Sequence, residues 1–373
     1  YASHCLTSGK SNVAIGQLAG YYIDTHNLNV SVGHFAGRCM AGDENVFVGP
    51  YTGRGSTTVA NNTGQKNVAI GYNSAKNLSS GGCNVLLGLA GGGSLTTGGT
   101  NVMIGKHAGQ QATNVNKNVY LGNYAGKCNS TGSCNIFIGN YAGQGSSSTG
   151  NDNIILGNEA GKCGVSIACN VFIGRYSGKK FCGGDNNIAI GKEALCGSST
   201  IANNYGPHNI ALGNYAGQEM STGEKNVIMG IESAQALSTG SRNVYIGCAA
   251  GDCRQSGNDN VAIGRLALHG DSTPSNNTGG YNIAFGYHAG CNITSGSFNI
   301  AIGNEALVVD GTGNGQFVVG CDSCYWLRGD CNFNICLGCG TSIRAMATGT
   351  MCATAFVGDG SGLTNVPGFS PDP

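Results

Sequence analysis

The sequence predicts an all-β chain wound as a parallel β-solenoid, a β-roll or β-helix, and three observations predict it. The first is a phrase, Asn-(Val/Ile)-x-(aliphatic or Phe)-Gly, that starts at Asn12, Asn29, Asn45, Asn67, Asn84, Asn101, Asn118, Asn135, Asn153, Asn170, Asn187, Asn209, Asn226, Asn243, Asn260, Asn282, Asn299 and Asn334, with a degenerate copy at Gln316. The second is its spacing: most steps are 17 residues, one is 16, two are 18 and three are 22. A fixed period in this range marks a stack of identical units. The third is composition, with 66 Gly, 6 Pro, one Trp and 10% charged residues in 373. Such a chain is not an ordinary globular enzyme. The glycines have no three-residue period, which excludes collagen, and the aliphatic positions recur in register, which argues against disorder. Nineteen acidic and nineteen basic residues balance without a basic run, so nucleic acid is not an expected partner.

Three regions follow: an N-terminal cap or junction at 1–11, a repeat shaft at 12–340, and a C-terminal junction at 341–373. Within a repeat, the residues after Asn have strand character, and side chains alternate along a strand. The residues one and three after Asn, such as Val13 and Ile15 or Ile136 and Ile138, are expected to line the coil interior. The Gly after the strand fits a tight corner. A small residue follows it, as at Ala19, Ala125 and Ala250, where space is short. The return path is polar and closes on Thr-Gly or Ser-Gly turns, as at Thr222-Gly223 and Thr239-Gly240. The opening Asn can bond backbone groups of its own and the next corner, so Asn118, Asn135, Asn226 and Asn243 are expected in an Asn ladder. Nineteen rungs at ~4.8 Å each would give a rod of roughly 90 Å.

The middle strand position, from Ala14 through Phe47, Tyr120 and Tyr245 to Ala301, is never charged. Read as the outward row, it implies a strand buried on both faces, and so packing against other copies of the chain around a shared axis. A trimer is the most economical closed arrangement.

The phrase Thr-Gly-x-x-Asn-(Val/Ile)-x-Ile-Gly-x-x-Ala, as in Thr222 to Ser233 and Thr239 to Ala250, resembles the head repeats of trimeric autotransporter adhesins. That resemblance covers residues ~10 to 340 by pattern. It implies a left-handed parallel β-roll of three chains that stands on a cell surface and binds a host or glycan receptor. The chain departs from that family in its longer period and its cysteines. Ala353 to Pro367, reading ATAFVGDGSGLTNVP, is similar to a segment of phage and large-virus tail-fibre proteins. Both resemblances imply a fibrous protein of the extracellular space or a virion surface, self-associated as a trimer or filament; no membrane segment is visible in the sequence, so membrane insertion is not expected.

Eighteen cysteines exceed what a reducing compartment usually holds without metal. Cys128 and Cys134, like Cys163 and Cys169, flank one return loop, which predicts the disulfides Cys128/Cys134 and Cys163/Cys169. Cys248/Cys253 and Cys182/Cys196 are weaker pairs. The cluster Cys321, Cys324, Cys331, Cys336 and Cys339 reads as disulfides capping a degenerate repeat, in preference to a thiolate zinc site. Glycosylation acceptors stand at Asn61, Asn77, Asn129, Asn276 and Asn292. The three long repeats share loops at 56–64, 199–206 and 272–279, which would project from one corner as recognition loops or as plain insertions.

No catalytic, cofactor-binding or metal set is expected, and the chain is read as a structural fibre protein, not an enzyme. The alternative is a polysaccharide-binding or polysaccharide-cleaving β-helix. For it stand Glu159, Glu193, Glu232 and Glu305 at one repeat position, and Tyr124, Tyr141, Tyr176 and Tyr215 as a stripe suited to sugar stacking or interchain packing. Against it stands the lack of an Asp-, Arg- or Lys-rich groove. An ice-binding surface would need a Thr ladder, which no repeat position supplies.

Overall fold

The computed structural model describes residues 2–145, 149–164, 166–200, 204–321, 324–332 and 335–337. In each repeat the three residues after the opening Asn form a strand. The series runs from β1 (Val13–Ile15) through β8 (Ile136–Ile138), β9 (Ile154–Leu156), β14 (Val244–Ile246) and β15 (Val261–Ile263) to β17 (Ile300–Ile302) and β18 (Phe317–Cys321). Each strand pairs with the next in parallel and without slippage. Ile136, Phe137 and Ile138 stand opposite Ile154, Ile155 and Leu156, and the 22-residue step keeps the register, with Ala262 opposite Ala284. The extra residues are therefore extruded in the loop and leave the ladder intact. Residues 3–11 continue the stack below β1, where the Ser3 and Cys5 amides donate to the Ala19 and Tyr21 carbonyls.

The stack ends one rung sooner than the phrase count. β18 pairs antiparallel with β19 (Cys324–Gly329), which pairs antiparallel with β20 (Ile335–Leu337). The copy at Asn334 is thus the end of a meander and no further rung. Earlier corners carry a small residue followed by Gly, Ala or Leu, most often Ala-Gly, three and four positions after the strand glycine; after Gly320 those positions read Ser323-Cys324, and the chain folds straight back. Residues 338–373, including Cys339 and the tail-fibre-like segment, lie outside the described residues, as does Asn334.

Strand orientation is the reverse of the sequence reading. The middle residue is the buried one: Phe47, Leu86, Met103, Tyr120, Phe137, Ile155, Phe172, Ile228 and Tyr245 are all 2% exposed or less. The residues on either side face outward, with Val13 at 45%, Ile15 at 61% and Ile190 at 40% exposed. The reason is parity. Asn and the middle residue lie two apart on one face of the strand, and the Asn side chain is committed to the interior.

That commitment is a continuous hydrogen-bonded ladder. The Asn135 amide donates to Asn118 Oδ1 at 2.8 Å, and the Asn118 amide to Asn101 Oδ1 at 3.0 Å. Farther along, the Asn243 amide and its Nδ2 both donate to Asn226 Oδ1, at 2.9 and 3.0 Å. Each Nδ2 also donates to a return-path carbonyl, as Asn226 to Gly240 and Asn243 to Gly257, both at 2.9 Å. One side chain therefore closes its own coil and caps the first amide of the next, leaving no buried polar group open at either place.

Two glycine rows make such small coils possible. At the strand end, Gly139 has φ +134°, and a Cβ there would lie 2.4 Å from the Gly157 carbonyl oxygen one rung above. Four residues on, a second Gly makes room for the core. A Cβ at Gly143 would lie 2.6 Å from the Phe137 ring, and one at Gly178 would lie 2.6 Å from Phe172. At Ala189 and Ala262 this position carries Leu195 and Leu268, both fully buried, whereas Ala211 and Ala284 keep Gly217 and Gly290. Leu195 and Leu268 reach those glycines one rung on, where a Cβ would lie 3.1 Å from each side chain, so volume is balanced between neighbouring rungs.

Buried polar groups are placed beside one another, with the Tyr120 hydroxyl bonded and the Tyr245 hydroxyl and Arg254 Nε without a hydrogen-bond partner among the described residues. Tyr120 and Tyr245 are the two tyrosines of the middle row, and each is followed nine residues later by a fully buried polar residue at the position that Leu78, Leu95, Met220 and Leu237 fill in other rungs. Asn129 Nδ2 lies 2.6 Å from the Tyr120 hydroxyl. Arg254, fully buried, sits beside Tyr245 and donates to the carbonyls of Ile293, at 3.2 Å, and Gly279. Burial pushes both phenols upward and the Arg254 guanidinium downward in pKa.

Three outcomes are expected. Asn226→Ala strands the Asn243 amide and the Gly240 carbonyl, at about 1–3 kcal/mol for each buried group left unpaired, read as a lower midpoint in urea. Gly139→Ala, with both a left-handed φ and a backbone clash, prevents a soluble fold or lowers the midpoint further. Asn129→Leu strands the Tyr120 hydroxyl and the Gly132 amide, at about 1–3 kcal/mol for each, whereas Asn129→Leu combined with Tyr120→Phe regains the hydroxyl's share of that loss in the same denaturation experiment.

Candidate functional site

With the middle row inside, the flanking rows form the most extensive feature of the surface. From Val13 and Ile15 to Phe317 and Val319 every residue in both rows is apolar. The two rows run side by side up one face of the stack, half-buried or exposed, with Ile70, Leu121, Ile136, Ile138, Ile154, Met229, Phe285, Ile300 and Ile302 each 37% exposed or more. A contiguous apolar strip of this length is far beyond the scattered exposed residues of a monomer's surface.

The corner after the strand carries the Tyr and Glu positions. Tyr124 and Tyr141 stack at 5.0 Å with ring planes 4° apart, and His107 stacks on Tyr124 at 5.1 Å. Lys127 lies over Tyr124, Lys162 over Tyr141 and Lys179 over Tyr176. These rings are engaged by one another and by ammonium groups, an arrangement of mutual packing. Glu159 accepts from Lys179 at 2.9 Å and from Lys162 at 3.2 Å. The Lys179 bond holds its carboxyl below the ordinary range. A glycosidase acid needs the opposite shift. Glu193 accepts from Gln218 Nε2 at 2.6 Å.

A shallow groove of about 400 Å³ lies along the turn before the strand, bounded by Thr239, Ser256, Asn258, Thr278, Tyr281, Ser297 and Phe298. The exposed Tyr281 and Phe298 rings stack at 4.8 Å and 5°. On the same row, Arg242 makes a two-pronged bond to Asp259, with both contacts at 2.8 Å, and this bond lowers the Asp259 pKa.

The three long loops are closed by one device. The second Asn of each Asn-Asn pair is buried and bridges the loop. Asn62 Nδ2 donates to the Ser56 and Cys39 carbonyls, Asn204 to those of Ser198 and Lys180, and Asn277 to those of Asp271 and Cys253. The shared Asn-Asn thus has a structural use, which supports reading the loops as insertions.

Among the acceptor asparagines, Asn61, Asn77 and Asn276 are exposed and Asn292 is half-buried. Asn129 is fully buried against Tyr120, so it offers no site for a glycan. The cysteines predicted as pairs, Cys128, Cys134, Cys163, Cys169, Cys182, Cys196, Cys248 and Cys253, are free thiols here. Cys321 and Cys324 face each other across the β18–β19 turn, also as free thiols. No helix among the described residues is long and apolar enough to cross a membrane.

Neither a protein-family model nor a curated protein matches this chain.

The Glu159 and Asp259 contacts set a pH dependence. Both carboxyls have folded pKa values below their unfolded ones. Their stabilising contribution is complete above about pH 4.3 and is lost as pH falls through the folded values. Thermal melts between pH 7 and 3 should show Glu159→Gln losing less stability on acidification than the parent chain.

Proposed function

We propose that this protein is a structural shaft that self-associates through its apolar strip into an extracellular fibre or virion-surface appendage. The observation that carries the reading is the outward row pair. Eighteen rungs, β1 to β18, at ~4.8 Å and a strip roughly 10 Å wide give about 850 Å² per chain, close to the ~800 Å² that each partner buries in a stable complex. The occupant is another copy of this chain, because only a rod with the same rung spacing and a complementary uncharged face covers the strip from end to end. Parallel rods around one axis keep equivalent rungs level, and three copies is the number that the head-repeat resemblance implies. Covering the strip turns each strand into one buried on both faces, as its composition suggests.

Contact with a receptor falls to the surfaces that the association leaves free. The groove beside Tyr281 and Phe298 pairs flat apolar rings with hydroxyl and amide groups, a combination suited to a glycan. This supports adhesion as the appendage's task, and polysaccharide binding as the second reading.

Light scattering on the eluting protein tests the association. The parent chain should elute as a closed oligomer. The double variant Ile138→Lys/Ile190→Lys, altered only on the outward rows, should elute as a monomer with an unchanged circular dichroism spectrum. A monomeric parent chain, or an oligomer that survives both lysines, would contradict the proposal.

A further inference from the structure

Asp252 and His269 occupy the same repeat position on adjacent rungs, those of β14 and β15, and Cys253 follows Asp252. Their ligand atoms, a carboxylate oxygen, Sγ and an imidazole nitrogen, all lie within 4.8 Å of one another, and all three residues are half-buried. His269 Nε2 is 3.6 Å from Cys253 Sγ and 3.8 Å from Asp252 Oδ2. A nitrogen and a sulfur held tetrahedrally by zinc, at about 2.1 and 2.3 Å, stand about 3.6 Å apart. The nitrogen-to-oxygen separation in such a site is about 3.4 Å, so Asp252 and His269 need to close by about 0.4 Å, and Asp252 already lies within 4.8 Å of Cys253 Sγ.

We propose that Asp252, Cys253 and His269 bind one zinc-like divalent cation, with water completing the tetrahedron, and that the ion clips two rungs together. Three further features support it. His269 Nδ1 lies 3.0 Å from the Gly270 carbonyl, which can only accept, so the ring proton sits on Nδ1 and the Nε2 lone pair faces the other two ligands. An imidazole oriented by a backbone carbonyl in this way is the usual support of a metal-bound histidine. The Cys253 backbone is fixed as well, because its carbonyl accepts from Asn277 Nδ2 at 2.9 Å. The neighbouring field is negative. Asp252 and Asp271 act on Cys253, and Glu232 acts on Asp252 in the sense opposite to His269. Arg254, the adjacent cation, turns into the core toward Gly279 and Ile293. Binding releases the Cys253 thiol proton to water, and the thiolate becomes the ligand.

Cobalt(II) titration of the reduced, chelator-treated full chain tests this, because thiolate ligation gives a charge-transfer absorption. The parent chain should take up cobalt with that absorption, and zinc should displace it. Cys253→Ser should lose one equivalent of the cobalt–thiolate signal. His269→Gln and Asp252→Asn should each weaken that equivalent at least about tenfold, and Cys248→Ser should leave it unchanged. Cobalt held by other cysteines remains in every variant, so the difference isolates this site. If Cys253→Ser fails to fold, the two corner variants carry the test. A parent chain that binds no cobalt, or His269→Gln and Asp252→Asn variants that titrate like the parent, would overturn the proposal.

Discussion

The Asn ladder is the constraint on which the remaining structure depends. A three-residue strand is too short to fix its own register or facing, and parallel pairs between such strands need something more than backbone bonds. The buried Asn supplies it by accepting from the next rung and donating across its own coil. Once that side chain is inside, parity sends the middle residue inward with it and turns the flanking Val and Ile residues out. The surface that drives the proposed association is therefore a consequence of where an amide is satisfied.

The interior is narrow enough that packing is settled within a rung and its immediate neighbour. Gly143 and Gly178 make space for Phe137 and Phe172, and Leu195 reaches Gly217 one rung on. The same locality governs polarity, since Asn129 answers Tyr120 and Arg254 stands by Tyr245 on the same rung. A stack built this way tolerates variation between rungs while holding the backbone constant, which explains how long loops enter at three steps without a break in register.

The stacked solenoid, its parallel in-register strands and its Asn contacts were legible in the sequence because periodicity reports them directly. Facing was misread because the two outer rows are the more uniformly aliphatic, and uniform Val and Ile look like a core. The signal that could have corrected it was Asn itself: a residue able to ladder only when buried shares its face with the middle position. The end of the stack was not legible, because the phrase at Asn334 repeats the rung pattern and corners without Ala-Gly, such as Ser233-Ala234, still turn. Burial of Asn129 was legible only in retrospect, through its nine-residue spacing from Tyr120. The Asp252, Cys253 and His269 cluster was hidden because its members lie on two rungs, and only stacking brings position 269 over position 252.

Residue-resolved hydrogen exchange of the Asn amides tests the ladder most directly. Each of these amides is bonded to a buried side-chain oxygen of the preceding rung, as at Asn84, Asn153, Asn226 and Asn299. They should exchange among the slowest in the chain and at similar rates from rung to rung, while amides of the exposed 56–61 and 272–276 segments exchange rapidly. Asn amides that exchange as fast as those loop segments would contradict a buried ladder, and with it the facing of every strand.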